Sequence, residues 1–153
     1  MYAIIVQSVA NELEKVGEAL KEELRRDGHY ATGKTEKSIR VEVAPQAVAL
    51  KSNAAPKYLT EGADKVKSGS GGVLYNAILD WVKAKGVTPT GMKNESFAWA
   101  IYNKRVKHGY TVPNAFNTGD TVGRAVDLEA IMRRLEAVIG ADVAKYVESN
   151  INF

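Results

Sequence analysis

The sequence predicts an α+β fold: a long N-terminal helix packed on a small antiparallel β-sheet, with two central helices and a C-terminal helix. Apolar residues recur every three or four positions in residues 1–27 and alternate with polar residues between 38 and 52. Helical spacing then returns in three later segments. Because helices and strands do not alternate regularly, we expect no parallel sheet. The length of 153 residues suits a single domain spanning 1–153.

The first segment has the pattern of a long amphipathic helix. Arg25 and Arg26 fall in its last turn, where positive charge is favourable at the negative end of the helix dipole. Gly28 follows and can adopt the left-handed conformation at which helices commonly end. We expect the apolar stripe to dock on the sheet. It consists of Val9, Leu13, Val16, Leu20 and Leu24.

Alternating apolar and polar residues predict a β-hairpin with one face on the core. Its strands are Ser38–Ala44 and Ala47–Ser52, joined by a turn at 45–46. The preceding residues, 29–37, are polar, and we expect them to form a loop. We interpret Lys57–Gly62 as a further short strand.

Helical spacing in the second half of the chain predicts three more helices. We place them at Val73–Lys85, at about Glu95–His108 with Asn94 as N-cap, and after Asp127 as N-cap, with Leu128, Ile131, Leu135, Val138, Ile139, Val143 and Val147 as the last apolar stripe. Flexible loops are expected at 65–72, which is rich in Gly and Ser, and at 117–126, which is rich in Gly and Thr. Tyr110–Phe116 is expected to be extended, with Pro113 barring it from the middle of a sheet.

Composition excludes several kinds of chemistry. The chain has no cysteine, which rules out disulfides, a thiol nucleophile and Cys-ligated metals, and it has only two histidines. No Ser, His and Asp set has the local sequence of a nucleophilic enzyme, so we expect no enzyme, no cofactor and no metal. No apolar run approaches the ~20 residues that span a bilayer. The N-terminus lacks a secretion signal, so we expect the chain in a cytoplasm or in a particle assembled there.

Charge is unevenly distributed along the chain, whose net charge is +3. Residues 1–27 hold four basic and six acidic side chains, residues 28–125 hold fourteen and seven, and residues 126–153 hold three and five. A basic middle between two acidic-leaning ends indicates a polyanion or an acidic protein surface as partner.

The densest basic cluster is Asn103–His108. Together with Lys83, Lys85 and Lys93 it is a candidate surface for nucleic acid or for an acidic protein. The alternative function is therefore a basic nucleic-acid-binding module, whose affinity would fall steeply with salt. We expect the nearby aromatic residues to pack in a core or an interface rather than to stack on bases. They are Trp81, Phe97, Trp99 and Tyr102.

Gly28–Thr35 matches the G-x-x-x-x-G-K-[ST] pattern of phosphate-binding loops. That loop needs a buried strand before it and a helix after it, whereas here a charged helix precedes it and an alternating strand follows. The nearest candidate for the metal-holding acid, Asp80, falls inside a predicted helix. We interpret Gly28 as a helix cap and Gly33 as a turn residue, and nucleotide binding through Lys34 as a second alternative.

Four short motifs follow one another along the chain. They are the Thr-Gly turn and Ser-Ile within Ala31–Ile39, the Ala-Pro-x-Tyr with Glu and Gly in Ala55–Gly62, Ile78–Val87 followed by Phe97–Ile101, and Pro113 with Phe116 before the last helix. In this order they resemble the tail-completion and neck-ring proteins of tailed bacteriophages. The resemblance covers about residues 5–150.

This resemblance implies a structural virion protein of the phage neck or tail. It would form a ring, sixfold or twelvefold, that joins the head connector to the tail and continues the DNA channel, and it would assemble in the bacterial host cytoplasm. Its partners would be copies of itself, connector or portal-side proteins and tail proteins, with packaged DNA as a further contact and no membrane. A ring uses head-to-tail contacts, so each subunit needs two different faces. We nominate Lys65, Lys67 and Ser68 for neighbour contacts, and Lys104, Arg105 and Lys107 for an acidic partner or the channel.

Overall fold

A computed structural model describes residues 2–29, 32–45, 47–65, 71–115 and 117–150. Its elements are α1 (Tyr2–Arg26), α2 (Lys34–Ser38), β1 (Arg40–Ala44), β2 (Ala47–Lys51), α3 (Ala55–Glu61), α4 (Gly71–Lys85), α5 (Asn94–His108), α6 (Thr121–Ala125) and α7 (Leu128–Asn150). The expected α+β class, the long N-terminal helix and the antiparallel two-stranded sheet are confirmed.

Helix α1 ends as its sequence predicts. Gly28 adopts a φ of 71°. The His29 N–H donates to the Leu24 carbonyl at 2.8 Å, and the Gly28 N–H donates to the Arg25 carbonyl at 3.0 Å. These two bonds form a Schellman cap, which satisfies carbonyls that the helix leaves without an internal partner. The stripe is buried most deeply at Val16, Leu20 and Leu24.

The hairpin packs on α1 at Gly17, where the helix carries no side chain. The strands pair with Val41 opposite Leu50 and Val43 opposite Val48. A Cβ added at Gly17 would lie 3.2 Å from Leu50 Cδ1, so the glycine lets the hairpin approach the helix closely. At the far end of the hairpin the Tyr2 hydroxyl of α1 donates to the Pro45 carbonyl, and Val43 there is 58% exposed.

Two short segments are helical where a strand or a loop was expected. The predicted strand Lys57–Gly62 is wrong, because these residues belong to helix α3. Pro56 sits in the first turn of α3, where its missing N–H costs nothing, and Lys57 lies one turn from Glu61, with Nζ and Oε2 3.7 Å apart. Helix α2 likewise begins inside the predicted loop 29–37, after Gly33 adopts a φ of 71°.

The segment 117–126 is not the flexible loop we expected. It contains helix α6, in which Thr121 and Ala125 are buried. Asn117 is buried too, and its amide donates to the Leu59 carbonyl at 2.8 Å. Of the other predicted loop, residues 66–70 lie outside the described residues, and helix α4 begins at Gly71.

Helices α4 and α5, both predicted from their apolar spacing, pack against each other. Val82 of α4 and Ala98 of α5 are both fully buried, with 0% exposure. The expected N-cap is wrong by one residue, because Asn94 is the first helical residue and Lys93 is the cap, without a side-chain hydrogen bond.

Helix α7 lies along α1. The Ala130 N–H donates to Asp127 Oδ1 at 3.0 Å, which confirms Asp127 as a capping residue. Of the predicted apolar stripe only Ile131 is buried, and Leu128 is 69% exposed. The stripe therefore spans a wider arc of the helix than α1 can cover.

Glu12 is a buried carboxylate between α1 and α7. It accepts hydrogen bonds from Lys15 of its own helix and from Arg134 of α7, whose Nε lies 3.0 Å from Glu12 Oε2. These bonds, that from Lys15 first, hold the pKa of Glu12 below its ordinary value of 4.5 against the opposing effect of burial. Nearby, the Ser8 hydroxyl donates to Asp142 and joins the same two helices.

A glycine allows the backbone that follows α3 to pass close to the backbone that follows α5. Ala63 and Tyr110 exchange backbone hydrogen bonds of 2.7 Å in each direction. Gly62 precedes this bridge with φ 80° and ψ −163°, a conformation that essentially only glycine adopts. A Cβ on Gly62 would also collide with the Tyr110 carbonyl oxygen.

We expect Gly62→Ala to lower the free energy of unfolding by about 3 kcal/mol, because backbone strain and the collision act together. Gly86→Ala is the matched control, since Gly86 has φ 62° but open space around its Cα. It should cost only about 1–2 kcal/mol. Urea denaturation of both variants measures the difference, and equal losses would contradict the close approach at Gly62.

We expect acid to remove a stabilising contribution from Glu12. Because the pKa of Glu12 is lower in the folded chain than in the unfolded chain, the contribution is present above about pH 4.5 and is lost as the pH falls through the folded value. Glu12→Gln should therefore unfold more easily than the parent chain at pH 7, and the two should converge at low pH. Thermal unfolding between pH 7 and 3 measures this, with Glu14→Gln as an exposed control on the same helix.

Candidate interaction surfaces

The basic cluster predicted on α5 divides into two kinds of residue. Lys104 and Lys107 are exposed and form no ion pair with another described residue, and we call this pair the basic end of α5. Arg105 points the other way: it is partly buried, with its guanidinium 4.7 Å from the centre of the Tyr110 ring. Burial lowers the pKa of Arg105 below its ordinary value. Its contact with Tyr110 gives Arg105 a structural role within the chain.

Lys65 lies beside the same end of α5. A Cβ added at Gly109, which follows α5, would be 3.2 Å from the Lys65 backbone nitrogen. The structure thus brings Lys65 near the basic end of α5, although the two were nominated for different contacts. The nominated Lys67 and Ser68 lie outside the described residues.

In the described part of the phosphate-loop pattern, residues 28–29 and 32–35, the strand that precedes a phosphate-binding loop is replaced by a helix. Gly28 caps α1, and the motif runs into the five-residue helix α2, which begins at Lys34 and is followed by strand β1. Lys34 Nζ lies 3.1 Å from Asp80 Oδ2 of α4, so this lysine joins two elements of the chain. A shallow cavity of about 280 Å³ adjoins it, lined among others by His29, Asn53 and Trp81. Burial lowers the pKa of His29, and the charge of Asp27 partly opposes this.

An open apolar groove of about 310 Å³ runs between α1, the hairpin, α6 and the start of α7. Its lining includes Val16, Leu20, Leu50, Val122, Val126 and Leu128. The spacing of these residues in the sequence predicts buried apolar stripes. It does not predict that a groove remains between the stripes of different elements. At the outer rim, Leu128 continues along α7 to Met132, which is 54% exposed.

A second apolar feature projects from α5. The Trp99 ring stacks on Tyr102 with centroids 5.2 Å apart, and Tyr75 of α4 packs edge-on against Trp99 at 5.6 Å. We call these three rings the Trp99 stack. Trp99 nevertheless remains 54% exposed. This exposure shows that Trp99 does not pack in a buried core, which was one of the two kinds of packing expected for it.

The chain as a whole exposes a large surface. Its accessible area is 10355 Å². A folded monomer of 16.6 kDa is expected to expose roughly 7,600 Å². The excess, on the order of 2,800 Å², is larger than the ~800 Å² that one partner contributes to a standard interface.

We expect Arg105→Ala to lower the free energy of unfolding by about 1–2 kcal/mol, because it removes a partly desolvated cation–π contact and the packing of the side-chain stem. Lys104→Ala and Lys107→Ala are matched controls from the same turn and should change it by less than about 0.5 kcal/mol. Urea denaturation of the three variants is the measurement. Equal effects would show that Arg105 has no special role in the fold.

The described residues contain no cluster of three or more His, Asp or Glu side chains arranged to hold a metal ion. None of the helices in the described ranges is long and apolar enough to cross a membrane. Comparisons of the chain with family models, curated proteins and solved structures give no match in any of the three.

Proposed function

We propose that this chain is a structural protein of a phage virion, forming a ring in the neck or tail that joins the head connector to the tail and continues the DNA channel. The observation that carries this proposal is the excess of exposed surface over that of a monomer of the same mass. The motif order from Ala31 to Phe116 supplies the family resemblance. The mechanism is assembly by shape and charge, without turnover.

A ring subunit needs two different contact faces, and two separate apolar features support this reading. The apolar groove is built from α1, the hairpin, α6 and α7. The Trp99 stack is built from α4 and α5. A subunit with two apolar features on different elements can contact one neighbour through each of them.

The basic end of α5 and Lys65 provide a surface for an acidic protein or for DNA in the channel. Charge at such a surface governs the rate of encounter and the choice of partner more than the affinity. The alternative, a nucleic-acid-binding module, would use the basic cluster 103–108 together with Lys83, Lys85 and Lys93. Three phosphate contacts would give a salt dependence with a slope of roughly −3 on logarithmic axes.

We expect the chain in DNA-filled particles purified on a density gradient from the source culture, at a low and fixed copy number relative to the main shell protein. Peptide mass spectrometry of the gradient fractions is the measurement. An abundant host protein should be lost over the same gradient, which controls for trapping. Absence of the chain from intact particles would overturn the proposal, and titration with duplex DNA at several salt concentrations would then test the alternative.

A further inference from the structure

None of the residues that the structure describes fills the apolar groove. Its lining comes from α1, the hairpin, α3, α6 and α7, and from neither α4 nor α5. The exposed side chains of Leu128 and Met132 extend the apolar surface beyond the groove along α7. Val16, Leu20 and Ile131 form a buried floor, so the apolar surface that another molecule can cover is the rim at Leu128 together with Met132.

The Trp99 stack is an apolar projection that fits such a groove. Tyr102 and Tyr75 hold the Trp99 ring in one orientation, so little side-chain entropy remains to be lost on binding. Tryptophan is also among the residues that most often dominate the energy of an interface. The groove of about 310 Å³ has room for such a side chain.

We propose that the apolar groove of one copy receives the Trp99 side chain of the next copy, so that the subunits join head to tail. The inference rests on the proposed function and names the two surfaces that meet in it. The groove and the Trp99 stack lie on different elements, so a contact between them can repeat from copy to copy and close into a ring.

The area of the chain favours a second copy as occupant. Each copy in a head-to-tail ring buries two faces, which at about 800 Å² each is some 1,600 Å². The chain exposes roughly 2,800 Å² more than a monomer of its mass, so it can lose both faces and still match the surface of an ordinary folded protein.

Two substitutions test the two surfaces separately. Leu128→Glu places a charge at the rim of the groove, and Trp99→Ala removes the projecting ring. Both side chains are more than half exposed, so the chain should still fold. Each should weaken self-association by roughly 30-fold, as expected for loss of a dominant interface residue. Sedimentation velocity over a range of concentrations measures this, with far-ultraviolet circular dichroism to confirm folding.

Matched controls are available for both substitutions. Ala137→Glu adds the same charge to α7 about 180° around the helix from Leu128, at an exposed position. Trp81→Ala removes the other tryptophan of the chain, which lines the cavity beside Lys34 instead. Neither control should change self-association.

Mixing the two variants gives the sharpest test. Trp99→Ala keeps an intact groove, and Leu128→Glu keeps an intact Trp99 stack. A mixture should therefore form a one-to-one heterodimer that does not grow further, although neither variant associates alone. If groove met groove in a symmetric dimer, the mixture would stay monomeric, and the inference would be wrong.

Tryptophan fluorescence gives a readout that does not depend on either interface variant. In Trp81→Phe, Trp99 is the sole tryptophan. Its emission should shift to shorter wavelength, and its quenching by acrylamide should fall, as the protein concentration rises through the association range. Association without any change around Trp99 would overturn the inference.

The outcomes separate this inference from the proposed function. If the parent chain assembles and both variants assemble equally well, the contact lies elsewhere, and the ring proposal stands. If the parent chain stays monomeric at every concentration, head-to-tail contact through the groove is contradicted. Its presence in purified particles then still decides whether it is a virion protein.

Discussion

Helix α1 supplies the surface on which the hairpin, α6 and α7 pack. Leu20 and Leu24 form one buried cluster with Ile39 at the start of the hairpin and Ala125 of α6. Burying a large apolar side chain such as Leu or Ile contributes about 1.5–3 kcal/mol, so this cluster stabilises the contacts of α1 with the hairpin and α6. Helix α7, the hairpin and α6 each contact α1, and removing α1 would leave them without a common core.

Charged side chains fix how these elements are arranged around α1. Arg124 of α6 bridges Glu23 and Asp27 at the C-terminal end of α1, with Nε 2.7 Å from Glu23 Oε2. The Thr121 hydroxyl donates to Asp27 at 2.7 Å, and this bond, followed by the charge of Arg124, lowers the pKa of that carboxyl group. Glu12 and Arg134 play the corresponding role for α7. Apolar contact alone would permit sliding along the helix, whereas these directional bonds define one register.

The same arrangement leaves apolar surface uncovered. One long helix cannot bury the stripes of a hairpin, α6 and α7 completely, so a groove opens where they converge. Helices α4 and α5 pack mainly against each other. Few contacts join them to the elements around α1, among them the Lys34–Asp80 pair and the hydrogen bond that Lys85 donates to the Gly28 carbonyl. A chain built in this way gains further stability when neighbours cover its exposed apolar faces, which is the physical basis of the assembly proposed above.

The spacing of apolar residues predicts the long helices and the hairpin, and a glycine after the last helical turn predicts the cap at Gly28. Each of these features depends on residues that are close together in the chain. The sequence pattern does not predict the short helices α3 and α6, for which it indicates a strand and a loop. Five to seven residues make less than two helical turns, which is too short for a helical spacing of apolar residues to be recognised. The candidate site was predicted only in part. Lys104 and Lys107 are exposed as expected, but Arg105 turns inward because Tyr110, which the fold places against it, offers a better contact than water. Whether two apolar stripes meet or remain apart depends on how helices are positioned in three dimensions, and therefore only the tertiary structure decided that the stripes of α1 and α7 line an open groove.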